Sequence, residues 1–462
     1  MPDIGSSTLP PTRVERRRVA AASFIGTTIE WYDYFIYGSA AALVFAPQFF
    51  PTADPLTGTL AAFATFAVGF IARPIGGVVM GHYGDVLGRK SMLVISMMLM
   101  GIATVCIGLL PNYATIGIAA PILLVVLRFV QGLGVGGEWG GAVLMAVEYA
   151  PKKKRALYGA FPQMGLPAGI VAANLVFLAV SAIVAPEAFA SWGWRIPFLL
   201  SAVLIAAGLV LRLKISESPA FVAAKDTEPS KRRPIVDVLR NHKRSLALAS
   251  AASIAAPALG YLVLVYMLSY GVQVLDLPRN TMLWLIIGGS VVWLVAIAAA
   301  AVLADRIGRK PVFLGGAALV TVWAFPFFAL VDTARPALIL LAFAVGTVGI
   351  AGMAGPQATL VAALFPTSVR YSGASLAYQV GSIVGGALAP LIATALYAAY
   401  GTSTPIAIYM AALGLVSFVA LLFLRETTTD GLDALPPTTE LRQNDPPSDM
   451  QNHDKMKRTT VK

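Results

Sequence analysis

Charge is scarce in this chain: 12% of its 462 residues are Asp, Glu, Lys or Arg, against 57% hydrophobic. A soluble domain of this length cannot cover itself with so little charge, so that class is excluded. Alternation of apolar and polar residues is also missing, which removes a transmembrane β-barrel. There is one cysteine, Cys106, inside an apolar run. With no intrachain partner it carries no information about redox compartment. No set of residues has metal-ligand spacing, and the glycines between 132 and 137 lie within an apolar span, so they form no phosphate loop. What is abundant is apolar sequence in runs of about 20 residues, the length that crosses a bilayer as a helix. The mean hydropathy is +0.75. The fold class is an all-α polytopic membrane protein.

Bounded by Pro, Gly and charge, the runs are 19–46, 57–82, 91–110, 116–148, 156–185 and 194–213, then 246–275, 281–304, 311–331, 337–364, 372–399 and 405–424. They divide the chain into a leading segment 1–18, a six-span unit 19–215, a central polar loop 216–245, a second six-span unit 246–424, and a Pro- and Asp-rich tail 425–462 expected to be disordered. Arg16, Arg17 and Arg18 resemble the start of a signal peptide, but the run behind them is too long and too polar for a cleaved one; it reads as a signal anchor. Lys and Arg crowd one set of connections, which holds Lys152 to Arg155, Arg306 to Lys310 and the tail. The opposite set holds only Arg195, Arg279 and Arg335. That bias predicts both termini in the cytoplasm. The formal charge of +11 is therefore chiefly a topology signal, with some attraction to anionic lipid. Nucleic acid is not an expected partner.

The two halves repeat. GHYGDVLGRK (81–90), between spans two and three, matches AVLADRIGRK (301–310), between spans eight and nine. Pro151 and Arg155 after span four match Pro366 and Arg370 after span ten, and Glu217 matches Glu426. A duplicated six-helix unit is the architecture of a transporter with a site at the midplane. The repeated element, Gly81, Asp85, Gly88, Arg89 and Lys90 with a partial copy at Asp305, Gly308, Arg309 and Lys310, resembles the cytoplasmic loop motif of the major facilitator superfamily. The glycines permit close helix approach, and an aspartate can face the positive end of a neighbouring helix. The resemblance implies two pseudo-symmetric six-helix bundles. It also implies a cytoplasmic gate made by these residues with Arg155 and Arg370, closed in the outward-facing state.

EWYDYFIYG (30–38), GFIARPIGG (69–77), RFVQGLGVGGEWGGA (128–142), SWGWRIPF (191–198) and FPTSVRYSGA (365–374) together resemble the metabolite:proton symporter family, most of all its shikimate-type branch. That resemblance implies a bacterial inner-membrane symporter, not an enzyme. Protons and a small organic acid would be its partners, with no cofactor, and it would work as a monomer. The alternative substrate is a zwitterionic osmolyte such as betaine or proline. The tail lacks the apolar heptads of some osmosensing carriers.

Ionisable residues within the spans are Glu30 and Asp33 in the first, Arg73 in the second, and Arg128 and Glu138 in the fourth. The second six-span unit has none at depth. Charge in the membrane costs several kcal/mol, roughly 2.5–3.5 on insertion scales, so these faces look into protein or water. A proton relay and a structural ion pair are the two readings. Asp33 leads as proton carrier, followed by Glu30 and Glu138. In the superfamily's arrangement spans 1, 4, 7 and 10 line the cavity, which implies that the Glu30/Asp33 stripe faces the Arg128/Gln131/Glu138 stripe across it. Arg128 either clamps a substrate carboxylate or partners Glu30 or Asp33. Arg73 is a structural or coupling residue. Tyr37, Tyr266, Tyr270, Gln357 and Tyr378 are candidate substrate contacts, the tyrosines offering an apolar wall with a hydroxyl, or a cation–π surface for a quaternary ammonium.

Overall fold

The computed structural model describes residues 13–87, 89–136, 138–213, 234–365 and 369–424. Lipid offers no hydrogen bonds, so apolar runs of spanning length must satisfy their own backbone, and they do so as helices. The first half comprises α1 (Arg13–Ala40), α2 (Pro55–Leu87), α3 (Arg89–Leu109), α4 (Ala119–Gly136 and Glu138–Glu148), α5 (Arg155–Ile183) and α6 (Ile196–Leu213). The second comprises α7 (Lys243–Ala252, Ala255–Tyr261, Leu262–Tyr266 and Met267–Gln273), α8 (Arg279–Ile307), α9 (Arg309–Val331), α10 (Pro336–Ala363), α11 (Arg370–Ser382, Ile383–Ala387 and Ala389–Tyr400) and α12 (Thr404–Phe423). No strand occurs among the described residues. Among the described residues eleven helical segments are long and apolar enough to cross a membrane. The twelfth long helix is α1, whose Arg16, Arg17, Arg18, Glu30 and Asp33 lower its apolar character.

Within the first half α1 packs on α5, and α4 on α2 and α3; within the second, α10 packs on α8 and α9. The halves meet along α5 against α8 and α10, and along α2 against α11. Small residues set the α2–α4 approach. A Cβ on Gly132 would collide with the Gly69 carbonyl, and one on Gly136 with the Arg73 carbonyl. Among the described residues three helices are interrupted by a π-helical turn: Ala41–Phe45 after α1, Leu262–Tyr266 in α7 and Ile383–Ala387 in α11. Such turns insert an extra residue and change which face follows.

Candidate functional site

Among the described residues two narrow chambers lie between the halves, each with free space of about 10 Å³ inside wider envelopes of about 260 and 330 Å³, and both are walled by Trp31 of α1, Arg73 of α2 and Tyr378 of α11. Arg73 is the cation they share. Its guanidinium lies 4.3 Å over the Tyr34 ring, 4.4 Å over Phe70 and 5.3 Å over Trp31. It is 2% exposed, and Nε and Nη2 find no hydrogen-bond acceptor among the described residues. The smaller chamber adds Phe35, Tyr261 and Trp293, an aromatic wall drawn from both halves. The larger adds Glu30, Glu138 and Trp139.

Both carboxylates of the larger chamber are buried. Glu138 forms an ion pair with Arg212 of α6, whose Nη1 also donates to the Leu93 carbonyl of α3 at 2.8 Å. Below them polar groups bridge the halves. Trp139 stacks flat on Tyr378 with ring centroids 4.0 Å apart. Its Nε1 donates to Gln163 Oε1 (3.3 Å), Gln163 Nε2 donates to Gln357 Oε1 (3.2 Å), and Gln379 Nε2 donates to the Gly136 carbonyl (3.1 Å).

Asp33 and Arg128 do not face Glu30 and Glu138 across a cavity; neither lines a chamber. Three residues turn a helix through about 300°, which leaves Asp33 some 60° off the Glu30 face. That offset puts Asp33 inside the first bundle. Its Oδ2 accepts a long 3.4 Å bond from Thr104, and Gln131 Nε2 donates to Thr104 at 2.9 Å and to the Asp33 carbonyl at 3.4 Å. Gln131 Oε1 in turn accepts from Arg128 Nη1 at 2.5 Å. The Arg128 guanidinium stands 3.9 Å over Tyr34 and 4.1 Å over Tyr37. Of the two alternatives for Arg128, pairing with Glu30 or Asp33 is not seen among the described residues; the buried ion pair is Glu138–Arg212.

The tyrosines divide. Tyr378 lines both chambers, whereas Tyr37 donates to Thr65 Oγ1 at 2.6 Å inside the first bundle. Tyr270 donates to Asp332 Oδ1 at 2.7 Å, and Tyr266 packs on it with centroids 5.8 Å apart. Neither Tyr266 nor Tyr270 lines a chamber; Tyr261 does. The π-helical turn of α7 separates them, so positions after it do not continue the face before it.

At the cytoplasmic end, Asp305 Oδ1 accepts from the Ala156 amide at 2.9 Å and Oδ2 from the Leu157 amide at 3.1 Å. A carboxylate of the second half thus caps the first turn of α5 in the first half, just after Arg155. Arg309 Nη1 makes a 3.4 Å contact to the Thr359 carbonyl of α10, and Lys310 Nζ caps the end of α12 at the Leu424 carbonyl, 2.6 Å away. The side chains of Gly81, Asp85, Gly88, Arg89, Lys90 and Arg370 lie outside the described residues.

Arg212 is the residue that sequence reasoning missed. It ends its span, where the positive-inside bias already explains an arginine. Counted with it, Glu30, Asp33 and Glu138 are matched by Arg73, Arg128 and Arg212, so the acidic excess expected from sequence disappears. The signal available was the demand of a mid-span Glu138 for a cation. Trp31 and Gln163 are not singled out by the sequence; the packing puts Trp31 on both chambers and Gln163 between Trp139 and Gln357.

Two six-helix halves joined across buried polar chambers define a polytopic membrane transporter. The chain belongs to the sugar (and other) transporter family, whose model matches residues 19–245 and 237–437, within the major facilitator superfamily. It is similar to the inner membrane metabolite transport protein YhjE of Escherichia coli K12, 44% identical over 423 residues, covering 90% of this chain and 96% of the relative. The shikimate transporter of the same strain is 41% identical (92% and 97% covered), and its proline/betaine transporter 35% identical (91% and 86%). Among solved structures, the proton:xylose symporter XylE bound to 6-bromo-6-deoxy-D-glucose superposes with a TM-score of 0.72 at 18% identity, covering 90% of this chain and 97% of XylE. At that identity the likeness concerns the fold.

Proposed function

We propose that this transporter carries a small organic acid together with protons across the bacterial inner membrane, by alternating access of the two halves. The observation that carries this reading is Arg73, a buried cation with two unpaired donors on the wall shared by both chambers. A carboxylate is the natural acceptor for such a fork. The aromatic wall beside it suits an apolar ring. A relative named for shikimate agrees with that chemistry.

The proton is the coupling ion. Asp33 carries it, with no cation within 4 Å among the described residues, and Glu30 and Glu138 assist from the chamber side. An anion entering a buried set of three acids and three arginines leaves one negative charge uncompensated, and a proton on one acid restores balance. Arg128 and Gln131 orient Asp33 rather than touching substrate. Asp305, Arg309 and Arg155 latch the cytoplasmic end. Both termini lie in the cytoplasm, and the monomer is the working unit.

A second reading rests on Trp31, Tyr261, Trp293 and Tyr378 around the smaller chamber. Their ring faces suit a quaternary ammonium, as in a betaine, whose carboxylate would take Arg73. Proteoliposomes holding the purified protein separate the two when challenged with shikimate, α-ketoglutarate, benzoate and betaine. Alkalinisation of the outside on adding an acid is the expected result. A response to betaine alone selects the osmolyte reading, and silence with all four overturns acid symport.

A further inference from the structure

We propose that Arg212 is a positioning residue for proton coupling, which holds Glu138 ionised until a proton on that carboxylate frees it. The proposal deepens the symport reading and rests on it. The geometry is specific. Arg212 reaches from α6 to three other helices: Glu138 on α4, the Leu93 carbonyl on α3, and α1 at Gly26. A Cβ on Gly26 would stand 3.0 Å from Arg212 Nη2 and 3.4 Å from Nε, so the guanidinium lies against α1 where a side chain is missing. Glu30 follows Gly26 by one helical turn on the same face, and it lines the chamber beside Glu138.

The groups around this pair are therefore Glu30 from α1, Arg73 from α2, the Leu93 carbonyl from α3, Pro162 from α5, and Tyr378 and Gln379 from α11. Glu138 is 1% exposed and Arg212 is its partner. A lone carboxylate there would be an uncompensated buried charge, the costly case. When a proton adds to Glu138 Oε, the ion pair is lost while Arg212 keeps its charge. Arg212 then retains the Leu93 carbonyl and has Glu30 as the neighbouring carboxylate. α6 is thereby released from α4 and held toward α1, which links protonation at the chamber to packing in the first bundle.

The test uses the full chain in lipid nanodiscs and in proteoliposomes. Infrared difference spectra need no substrate. R212Q is expected to show a protonated-carboxyl band at pH 7 that is absent from wild type and from E138Q/R212Q, moving that titration by more than about one pH unit. R212K should restore the wild-type profile. In proteoliposomes, R212Q is expected to lose proton-driven shikimate accumulation by at least about tenfold while shikimate counterflow stays within about threefold, a split that simple loss of packing would not produce. Identical carboxyl titration in R212Q and wild type, or normal accumulation by R212Q, overturns the proposal. If wild type moves none of the four solutes but the infrared arm succeeds, the symport reading fails and the Arg212–Glu138 assignment stands. Should R212Q not fold, E138Q and the charge-neutral double variant carry the same comparison: an E138Q protein with wild-type coupling would also overturn it.

Discussion

The two halves share an architecture and divide the chemistry. In α1 to α6, three acids and three arginines are buried, five within the spans and Arg212 at the end of α6: Glu30, Asp33, Glu138, Arg73, Arg128 and Arg212. In α7 to α12 the described residues bury serines, threonines and glutamines instead, and ionised groups sit at helix ends, as with Asp305, Arg309 and Asp332. A duplicated fold thus need not duplicate function. One half can hold the charged machinery while the other supplies ring faces and amides. Ionised groups in a low-dielectric interior must be mutually balanced, and keeping all six in one bundle lets them remain balanced while the halves move past each other.

Breaking that asymmetry gives the largest expected effect. Asp33→Asn should abolish proton-driven accumulation in proteoliposomes yet leave exchange measurable, because the residue lies off the chambers. A well-reconstituted Asp33→Asn protein that accumulates normally would sink its role. Arg73→Gln comes next. Loss of charge-assisted bonds worth roughly 1.5–3 kcal/mol should weaken acid binding by about 10- to 100-fold, read by counterflow half-saturation. Tyr261→Phe, at a residue that the second half contributes to the same chamber, removes one neutral hydroxyl, and the same assay should move by less than about tenfold. Equal losses in the two variants would erase the proposed division. Asp305→Ala removes the cap on α5, worth about 1 kcal/mol. That shifts the inward-to-outward ratio roughly fivefold, measurable by accessibility of a cysteine placed at the cytoplasmic end.

How much of this was legible follows from what each feature depends on. Twelve spans could be read because lipid dictates run length and apolarity residue by residue, and α1 stayed visible despite its charges because its flanks are apolar. The identity of five of the six buried ionised residues was legible for the same reason. Which way they point was not. Glu30 and Asp33 differ by a fraction of a helical turn, yet one meets the chamber and the other Thr104, a choice made by the packing of α3 and α4 on α1. Arg212 was hidden by a rule that explains arginines at cytoplasmic ends equally well whether they face water or protein. The helix-capping geometry anticipated for the loop aspartates appears at Asp305 because it depends only on a carboxylate reaching a helix N-terminus, a local and transferable contact.

The smallest expected effect concerns α7, where spacing alone put Tyr266 and Tyr270 on a substrate face. The Tyr270 hydroxyl instead joins Asp332, whose other oxygen accepts from Ser403 at 2.5 Å, and the Tyr270 ring meets Tyr397 edge-on at 5.3 Å. This knot ties α7 to the α9–α10 and α11–α12 connections, so its contribution is to the rigidity of the second half. Tyr270→Phe keeps the ring packing and deletes one donor to a carboxylate that retains Ser403. The expected cost is about 1 kcal/mol of stability, seen as a lower melting temperature in detergent, with counterflow half-saturation unchanged for every transported solute. A selective change in half-saturation for one solute, at unaltered stability, would instead return Tyr270 to the binding surface and make the second half a chemical partner of Arg73.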